Sequence, residues 1–336
     1  MREVHVADTE GYLVGVDAGG TSTRALVVAP DGHRAGFGRA GGANPTSHPP
    51  EVAADQVATA IRAALDQAGC QPAQVAAGVL GLAGSSKLAD ERVAGLFNRA
   101  WAATGLRCPL RVVTDCEAAF AAGTTEPDGT VLVAGTGSIA ARIANHRQVA
   151  LAGGYGWLLG DEGSSFWLGR EAVRGTLRTL ATGSAPGALA RSVLAECMSL
   201  WEDLPSDPVL RRSVAARLIT TVNGEAPIRL ARFAPLVSAA ASGGDPLAEE
   251  IITGAVSWLV RTVQDARSPG ERTPVVLIGS LVNADTPLGK QLHEALAVEC
   301  GASVVLATDG AAGAAWLAAL DLLGPAAALL RAPMFG

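Results

Sequence analysis

The sequence predicts an α/β protein made of two duplicated domains that face each other across a cleft. Three observations carry that expectation. Short apolar runs stop at glycine turns, as at Tyr12 to Val16 before Asp17-Ala18-Gly19-Gly20 and at Thr130 to Ala134 before Gly135-Thr136-Gly137-Ser138. A strand, a glycine turn and two further strands, followed by alternating helices and strands, begin at Tyr12 and again at Thr130. The chain has 336 residues, 49% of them hydrophobic, enough for two domains of about 150 residues with cores of their own. Two layered α/β halves of this kind place ligands at their strand ends, where the glycine turns fall.

Taken in order, Tyr12 to Val16 is a buried strand. Arg24 to Ala29 and His33 to Ala40 are strands joined by the turn Pro30-Asp31-Gly32. Gly41, Gly42, Asn44 and Pro45 form a loop. Pro50 to Ala68 has helical period through Val52, Val57, Ile61 and Leu65. Val75 to Leu82 is a strand, Ala89 to Ala103 a helix, and Leu110 to Thr114 a strand that stops at Asp115 before a helix from Glu117. In the second half, Thr130 to Ala134, Ile139 to Ala144 and Val149 to Ala152 are strands. Helices are expected over Gly163 to Leu180, Ala188 to Met198, Pro208 to Val222, Pro227 to Ala241 and Pro246 to Arg267. Pro274 to Ile278 and Ser303 to Leu306 are strands around a helix from Thr286 to Cys300, and Gly310 to Leu323 is a closing helix.

Composition narrows the function. Charged residues are 17% and the net charge is −6, which gives no basic surface for nucleic acid. Cys70, Cys108, Cys116, Cys197 and Cys300 are scattered without a CxxC pair; this argues against a disulfide framework, a structural zinc site or an iron–sulfur cluster. A reducing cytoplasm is the expected home. The N-terminus is polar, with no secretory leader pattern, and Asp321 and Pro325 interrupt the Ala-rich stretch after Gly310, so no membrane span is expected.

Six constellations can carry chemistry. In Asp17-Ala18-Gly19-Gly20-Thr21-Ser22-Thr23 the glycines let backbone N–H groups approach an anion, Thr21 and Thr23 add hydroxyls, and Asp17 can hold a hydrated Mg²⁺. An ordinary hairpin with a turn aspartate is the plain alternative. Gly135-Thr136-Gly137-Ser138 lies between strands and has no GKS or GKT, so it is neither a dinucleotide fingerprint nor a Walker loop. Asp115 in Thr114-Asp115-Cys116-Glu117 is either a helix cap or a carboxylate that takes a proton from a substrate hydroxyl. Gly153 to Ser164 concentrates Tyr155, Trp157, Asp161 and Glu162 among five glycines, a pattern suited to a sugar: carboxylates for hydroxyls and aromatics for a ring face. Gly279-Ser280-Leu281 offers a backbone shelf, and Gly310-Ala311-Ala312-Gly313 a surface that another helix can approach closely.

In this order DAGGTST, TDCEAAF, AGTGS, IGS and GAAGAAW resemble the phosphate, connect and adenosine motifs of the sugar kinase, Hsp70 and actin superfamily. Asn44 in GGANP and the segment GGYGWLLGDEGS resemble its N-acetylglucosamine kinase branch, grouped with the BadF/BcrA-type ATPases. The resemblance runs from about Tyr12 to Leu323. It implies two ribonuclease H-like, actin-like ATPase domains, residues 10–116 with a C-terminal helix over about 318–336, and residues 117–317. It implies an ATP-dependent sugar kinase in which Asp17, Gly19, Gly20, Thr21 and Thr23 bind ATP phosphates and Mg²⁺, with Asp17 reaching the ion through water. Gly135, Thr136 and Gly137 would close on the phosphates, and Gly279 and Ser280 would line the adenosine pocket. Asp115 would be the catalytic base. Asn44, Thr136, Ser138, Gly154, Tyr155, Asp161 and Glu162 would surround the sugar.

Relatives with cluster-ligating cysteines, and ROK proteins with a zinc-binding cysteine cluster and an ExGH motif, lack counterparts of those motifs here. Acetamido-sugar kinases usually carry Trp where Tyr155 stands. With the carboxylates Asp161 and Glu162, this points to glucosamine, a cation near neutral pH, phosphorylated on its 6-hydroxyl. N-acetylglucosamine is the alternative sugar; a non-sugar ATPase and a sugar sensor are the alternative classes. The expected partner is a small amino sugar, with no nucleic acid and no membrane, and the expected assembly is a homodimer.

Overall fold

The computed structural model describes residues 11–198, 207–307 and 309–336; the reading of the N-terminal ten residues lies outside them. The chain folds as two units. One runs through Gly129 and takes in Ile143–Val149 and Ala307–Gly336; the other is Thr130–Arg142 with Ala150–Leu306. This division differs from the one expected after residue 116 with a return at about 318. Helix Asp115–Gly123 and the start of helix Gly310–Leu323 go with the first unit because they pack on each other there.

In the first unit the elements are β1 (Tyr12–Ala18), β2 (Ser22–Val28), β3 (Arg34–Gly41), α1 (Pro50–Ala68), β4 (Val75–Leu82), α2 (Glu91–Ala102), β5 (Arg111–Thr114) and α3 (Asp115–Gly123). The sheet order is β3-β2-β1-β4-β5. β1 pairs antiparallel with β2 and parallel with β4; β3 is antiparallel to β2 and β5 parallel to β4. β1 is apolar almost throughout because both its faces are covered. Val14, Val16 and Ala18 join α1 and α2 in one core, while Leu13 joins α3 and the closing helix α11 (Gly310–Leu323) in another. By the period of two, Asp17 shares the α3 and α11 side with Leu13 and Gly15.

The second set is β6 (Gly129–Ala134), β7 (Ser138–Ala144), β8 (Arg147–Gly153), α4 (Gly156–Leu159), α5 (Ser165–Thr182), α6 (Ala188–Met198), α7 (Pro208–Asn223), α8 (Ala234–Ser242), α9 (Pro246–Ala266), β9 (Val275–Ile278), α10 (Pro287–Cys300) and β10 (Val304–Leu306). α11 (Gly310–Leu323) and α12 (Arg331–Phe335) end the chain. The sheet order is β10-β9-β6-β7-β8, with β6, β9 and β10 parallel. Read from the third strand outward, this is the order of the first sheet, so the duplication expected from the sequence is the duplication of the fold. Its core joins Leu132, Val275 and Leu277 to Leu168 of α5 and Leu259 of α9.

Two expected elements differ. The helix anticipated over Pro227–Ala241 is a 3₁₀ turn, Pro227–Phe233, followed by α8; Pro235 has no N–H for an interior helix bond, so it fits the first turn of α8 and not the middle of a longer helix. The closing helix ends at Leu323 as expected, but the helix implied over about 318–336 does not continue past it: Gly324 takes φ +57°, Pro325 follows, and residues 324–336 are a 3₁₀ turn and the short α12. The segment Gly310–Phe335 contains an 18-residue stretch with a mean hydropathy of 1.6 and is long and apolar enough to cross a membrane by composition. Its first half, α11, is a core helix here, with Ala311, Ala315 and Trp316 buried against β1, β4 and α3.

α11 approaches its neighbours through positions without side chains. A Cβ on Gly313 would lie 2.0 Å from the Ala118 carbonyl of α3, and one on Gly15 would lie 2.1 Å from the Ala311 carbonyl. Gly313→Ala is therefore expected to lower the urea midpoint, at a cost of about 1–3 kcal/mol typical of overpacking. In an unconstrained helix the same change would stabilise by about 1 kcal/mol, so the sign of the shift decides whether the close packing exists.

Candidate active site

In the first unit the carboxyl ends of β1 and β5 each carry an aspartate. Asp17 ends β1 one residue before its last, and Asp115 directly follows β5. The sequence left Asp115 open as the helix cap. The structure gives that job to Thr114, whose Oγ1 accepts the Glu117 N–H at 3.1 Å, while Glu117 Oε2 accepts the Thr114 N–H at 3.0 Å. This reciprocal box satisfies the free N–H groups of the helix start. Glu117 Oε1 accepts the Gln148 N–H at 2.8 Å, so Glu117 is spent on backbone. Asp115 is left at the first position of α3, partly buried. Burial lifts its carboxyl above the ordinary value, against the Cys116 N–H, which favours the anion.

Burial also raises Asp17, to about 6, with the charges of Asp115 and Asp309 adding to the rise and Arg24 opposing it. Asp309, which the sequence reading missed, caps α11: its Oδ1 accepts the Ala311 and Ala312 N–H groups, and Oδ2 accepts from Arg34. Its signal was an acidic residue just before a glycine-started helix. α11 begins against Asp17, since a Cβ on Gly310 would fall 2.8 Å from the Asp17 Cγ.

The first glycine turn closes through Gly19 N–H to the Ser22 carbonyl at 3.0 Å, and the loop after β3 docks on it through Ala43 N–H to the Gly19 carbonyl at 2.9 Å. Gly20 and Thr21 are exposed. Thr23 departs from the expectation of a hydroxyl offered to a ligand. It is fully buried in β2 and donates its hydroxyl to the Gly41 carbonyl at 2.7 Å, so it ties the turn to β3. Asn44 is partly buried, and its Oδ1 accepts the Thr46 N–H at 2.8 Å.

In the second unit, the turn after β6 closes through Gly135 N–H to the Gly137 carbonyl at 2.9 Å; Ser165 and Phe166 at the start of α5 donate to the Gly135 and Thr136 carbonyls. Thr136 is exposed. Asp161 packs beneath this turn, and its Oδ1 accepts the Ser138 N–H at 3.1 Å. A Cβ on Gly137 would meet that carboxylate at 2.7 Å. Asp161 takes φ +59°, unusual for a side-chain-bearing residue. Its burial raises the carboxyl, the Ser138 N–H opposes the rise, and Glu162 adds to it. Ser138 was expected to touch substrate; it is buried and donates its hydroxyl to the Glu162 carbonyl at 2.9 Å. It therefore fastens the glycine-rich segment to β7. Gly279 and Ser280 are exposed at the end of β9, beside the end of β6, and a Cβ on Gly279 would lie 2.1 Å from the Ala134 carbonyl.

Between Gly153 and Ser164 the chain forms the single-turn α4, and Ser164 caps α5, its Oγ accepting the Trp167 N–H at 3.2 Å. Gly154 donates to the Ser138 carbonyl at 2.9 Å. Tyr155 is exposed and Glu162 partly buried, and both line a cavity of about 420 Å³. Trp258, Arg261 and Asp265 of α9 line the same cavity; they carry no motif, and only their shared helical spacing could have flagged them.

Comparison with known proteins agrees with this arrangement. Residues 14–318 match the BadF/BadG/BcrA/BcrD ATPase family. The chain is 27% identical over 168 residues to an N-acetylmuramic acid/N-acetylglucosamine kinase of Clostridium acetobutylicum, a match spanning 50% of this chain and only 54% of that protein. It is 26% identical over 241 residues to a glucosamine kinase of Vibrio cholerae, 72% of this chain and 75% of that one. The structure of a candidate N-acetylglucosamine kinase from Chromobacterium violaceum superposes with a TM-score of 0.68 at 26% identity, covering 95% of this chain and 99% of that one.

The raised Asp17 carboxyl fixes a pH dependence. Between its ordinary value of 3.8 and about 6, the folded chain holds a proton that the unfolded chain has lost. This group's contribution therefore falls as pH rises from about 4 to 6 and is level above that. Asp17→Asn in the ligand-free protein is expected to be more stable than the parent at about pH 7.5, by on the order of 2 kcal/mol after discounting its partial exposure. The gain should shrink by about pH 4.5. Equal unfolding midpoint differences at the two pH values would refute the buried charge.

Proposed function

Because the chain belongs to the BadF/BadG/BcrA/BcrD ATPase family, we propose that it is an ATP-dependent kinase for the 6-hydroxyl of an amino sugar, with glucosamine the preferred acceptor. The observation that carries the reading is Asp115, a carboxylate relieved of capping by Thr114 and raised by burial at the end of a parallel strand. A base serves best when its pKa approaches working pH and its lone pairs are free. The sugar oxygen bonds to the γ-phosphorus, the bond to the β-phosphate oxygen breaks, and the hydroxyl proton passes to Asp115.

Phosphoryl transfer needs mainly positioning and charge stabilisation. The backbone N–H groups of Gly20 and Thr21 and of Thr136 and Gly137 would hold the phosphates, in turns that Gly19 and Gly135 close with their own N–H groups, and Gly279-Ser280 would carry the nucleoside. Thr23 and Ser138 would hold these turns in shape. Asp17 fits a hydrated Mg²⁺: its buried charge is short of compensation, and among the described residues no three His, Cys, Asp or Glu side chains are grouped to hold a bare ion. When bound, Mg²⁺ would neutralise phosphate charge. Asn44, Asp161 and Gly154 would bind the sugar, Tyr155 would face its ring, and Glu162 would pair with the 2-ammonium through a charge-assisted hydrogen bond.

N-acetylglucosamine is a second reading, favoured by Leu151, Ala152 and Leu159 in the cavity beside Glu162, which would receive an acetyl methyl. ADP release across a panel of hexoses and hexosamines separates the two, and ADP release independent of sugar would favour a non-sugar ATPase. Asp115→Asn is expected to lower kcat by about 10²–10⁴-fold with sugar binding and circular dichroism intact; near-full turnover would remove its role. Glu162→Gln should harm glucosamine more than glucose. A higher kcat/KM for N-acetylglucosamine than for glucosamine would replace the first reading by the second.

A further inference from the structure

The outward face of α9 lies beside the glycine-rich segment and is not explained by packing. Ile252, Leu259 and Val263 of this helix are buried. Trp258, Arg261, Thr262 and Asp265 form a stripe at three- and four-residue spacing on another face, and that stripe lines the 420 Å³ cavity whose other wall includes Leu151, Tyr155, Leu159 and Glu162. The volume falls among ordinary small-molecule sites. Trp258 is 40% exposed, so its ring is not spent on the core; Arg261 lies 5.8 Å from its centroid.

Arg261 Nε and Asp265 Oδ2 are 4.0 Å apart, with side chains 68% and 63% exposed. That is an ion pair too long to be a hydrogen bond, and an exposed pair of this kind contributes little to stability. Both groups keep their hydrogen-bonding capacity for a ligand. The lining thus combines a flat aromatic face with donors and acceptors at its edge. A pyranose has the matching surfaces, an apolar C–H face and a rim of hydroxyls. Charge selects further: Glu162 and Asp265 outnumber Arg261 around the cavity, which disfavours an anionic substituent and accepts a neutral or aminated ring.

We propose that this cavity is a subsite for a second pyranose ring, so that the protein binds an amino sugar extended through its anomeric oxygen as well as the free monosaccharide. The proposal rests on the sugar reading of the Gly153–Ser164 segment, because Tyr155 and Glu162 belong to both that segment and the cavity. A glycosidic link at the anomeric oxygen leaves the 6-hydroxyl free.

The test is calorimetric titration of glucosamine and of its β-linked dimer into the parent protein, Trp258→Ala and Asp265→Asn, with ADP release followed in parallel. The dimer is expected to bind the parent at least as well as glucosamine. Trp258→Ala should weaken the dimer about tenfold or more and glucosamine less than twofold, and Asp265→Asn, a conservative change on an exposed helix face, should act in the same direction. Equal effects on the two ligands, no effect on either, or a dimer that does not bind while glucosamine does would overturn the subsite. Selective loss of dimer binding without sugar-dependent ADP release would leave the subsite standing and remove the kinase reading. Absence of binding by both sugars would remove both.

Discussion

The approach of α11 to β1 and α3 is the contact on which the chemistry of the first unit depends. It is made where side chains are missing, at Gly15 and Gly313. Because the helix lies this close, its N-terminus starts against Asp17, and the carboxylate that caps it, Asp309, acts on Asp17 electrostatically. Burial of charge in so small a space is unfavourable in isolation. The fold tolerates it through surrounding hydrophobic packing, including Trp316, Leu317 and Leu330 in the same core. A lengthened side chain at Gly313 would therefore disturb the acidic cluster without touching any of its members.

The second unit holds its carboxylate by a different device. Asp161 is fixed by one backbone N–H beneath a glycine turn, in a left-handed conformation, and its neighbour Glu162 is anchored through its carbonyl by Ser138. Two successive acidic residues are thereby directed differently. Asp161 is buried and immobilised, whereas Glu162 remains at the wall of the cavity. The proposed division of labour, with one carboxylate holding ring hydroxyls and the other reading the substituent on the ring, follows from that difference in environment.

The strands were legible because buried parallel strands are written as unbroken apolar runs, and their ends because Gly19, Gly135 and Gly279 punctuate them. The same signals located the turns that make up the candidate site. Hydroxyl placement was not legible. Thr23 and Ser138 sit in loops rich in possible donors, and only the three-dimensional partners, Gly41 and Glu162, reveal that their protons are already used. Asp115 read equally as a helix cap or as a free carboxylate, and only the structure shows that its neighbour Thr114 does the capping. Pro235 split one helical pattern because a proline at the second position of a helix reads, in sequence, much like one inside it. Asp309 carried only the signal of a helix cap, and its place beside Asp17, like the α9 stripe, needed the tertiary neighbourhood.

The duplicated sheets differ in one crossover. Between β3 and β4 the chain passes through α1 and a short turn, whereas between β8 and β9 it passes through α4 to α9. The entropic cost of a longer connection grows only slowly with its length, and strand pairing fixes the ends of a crossover without dictating what lies between. Tyr155, Glu162 and Trp258 all belong to this expanded crossover, while Gly135 and Gly279 belong to the sheet edge that bounds it. The expanded crossover can therefore lengthen, shorten or change its exposed surface while the strand pairing at its two ends stays as it is.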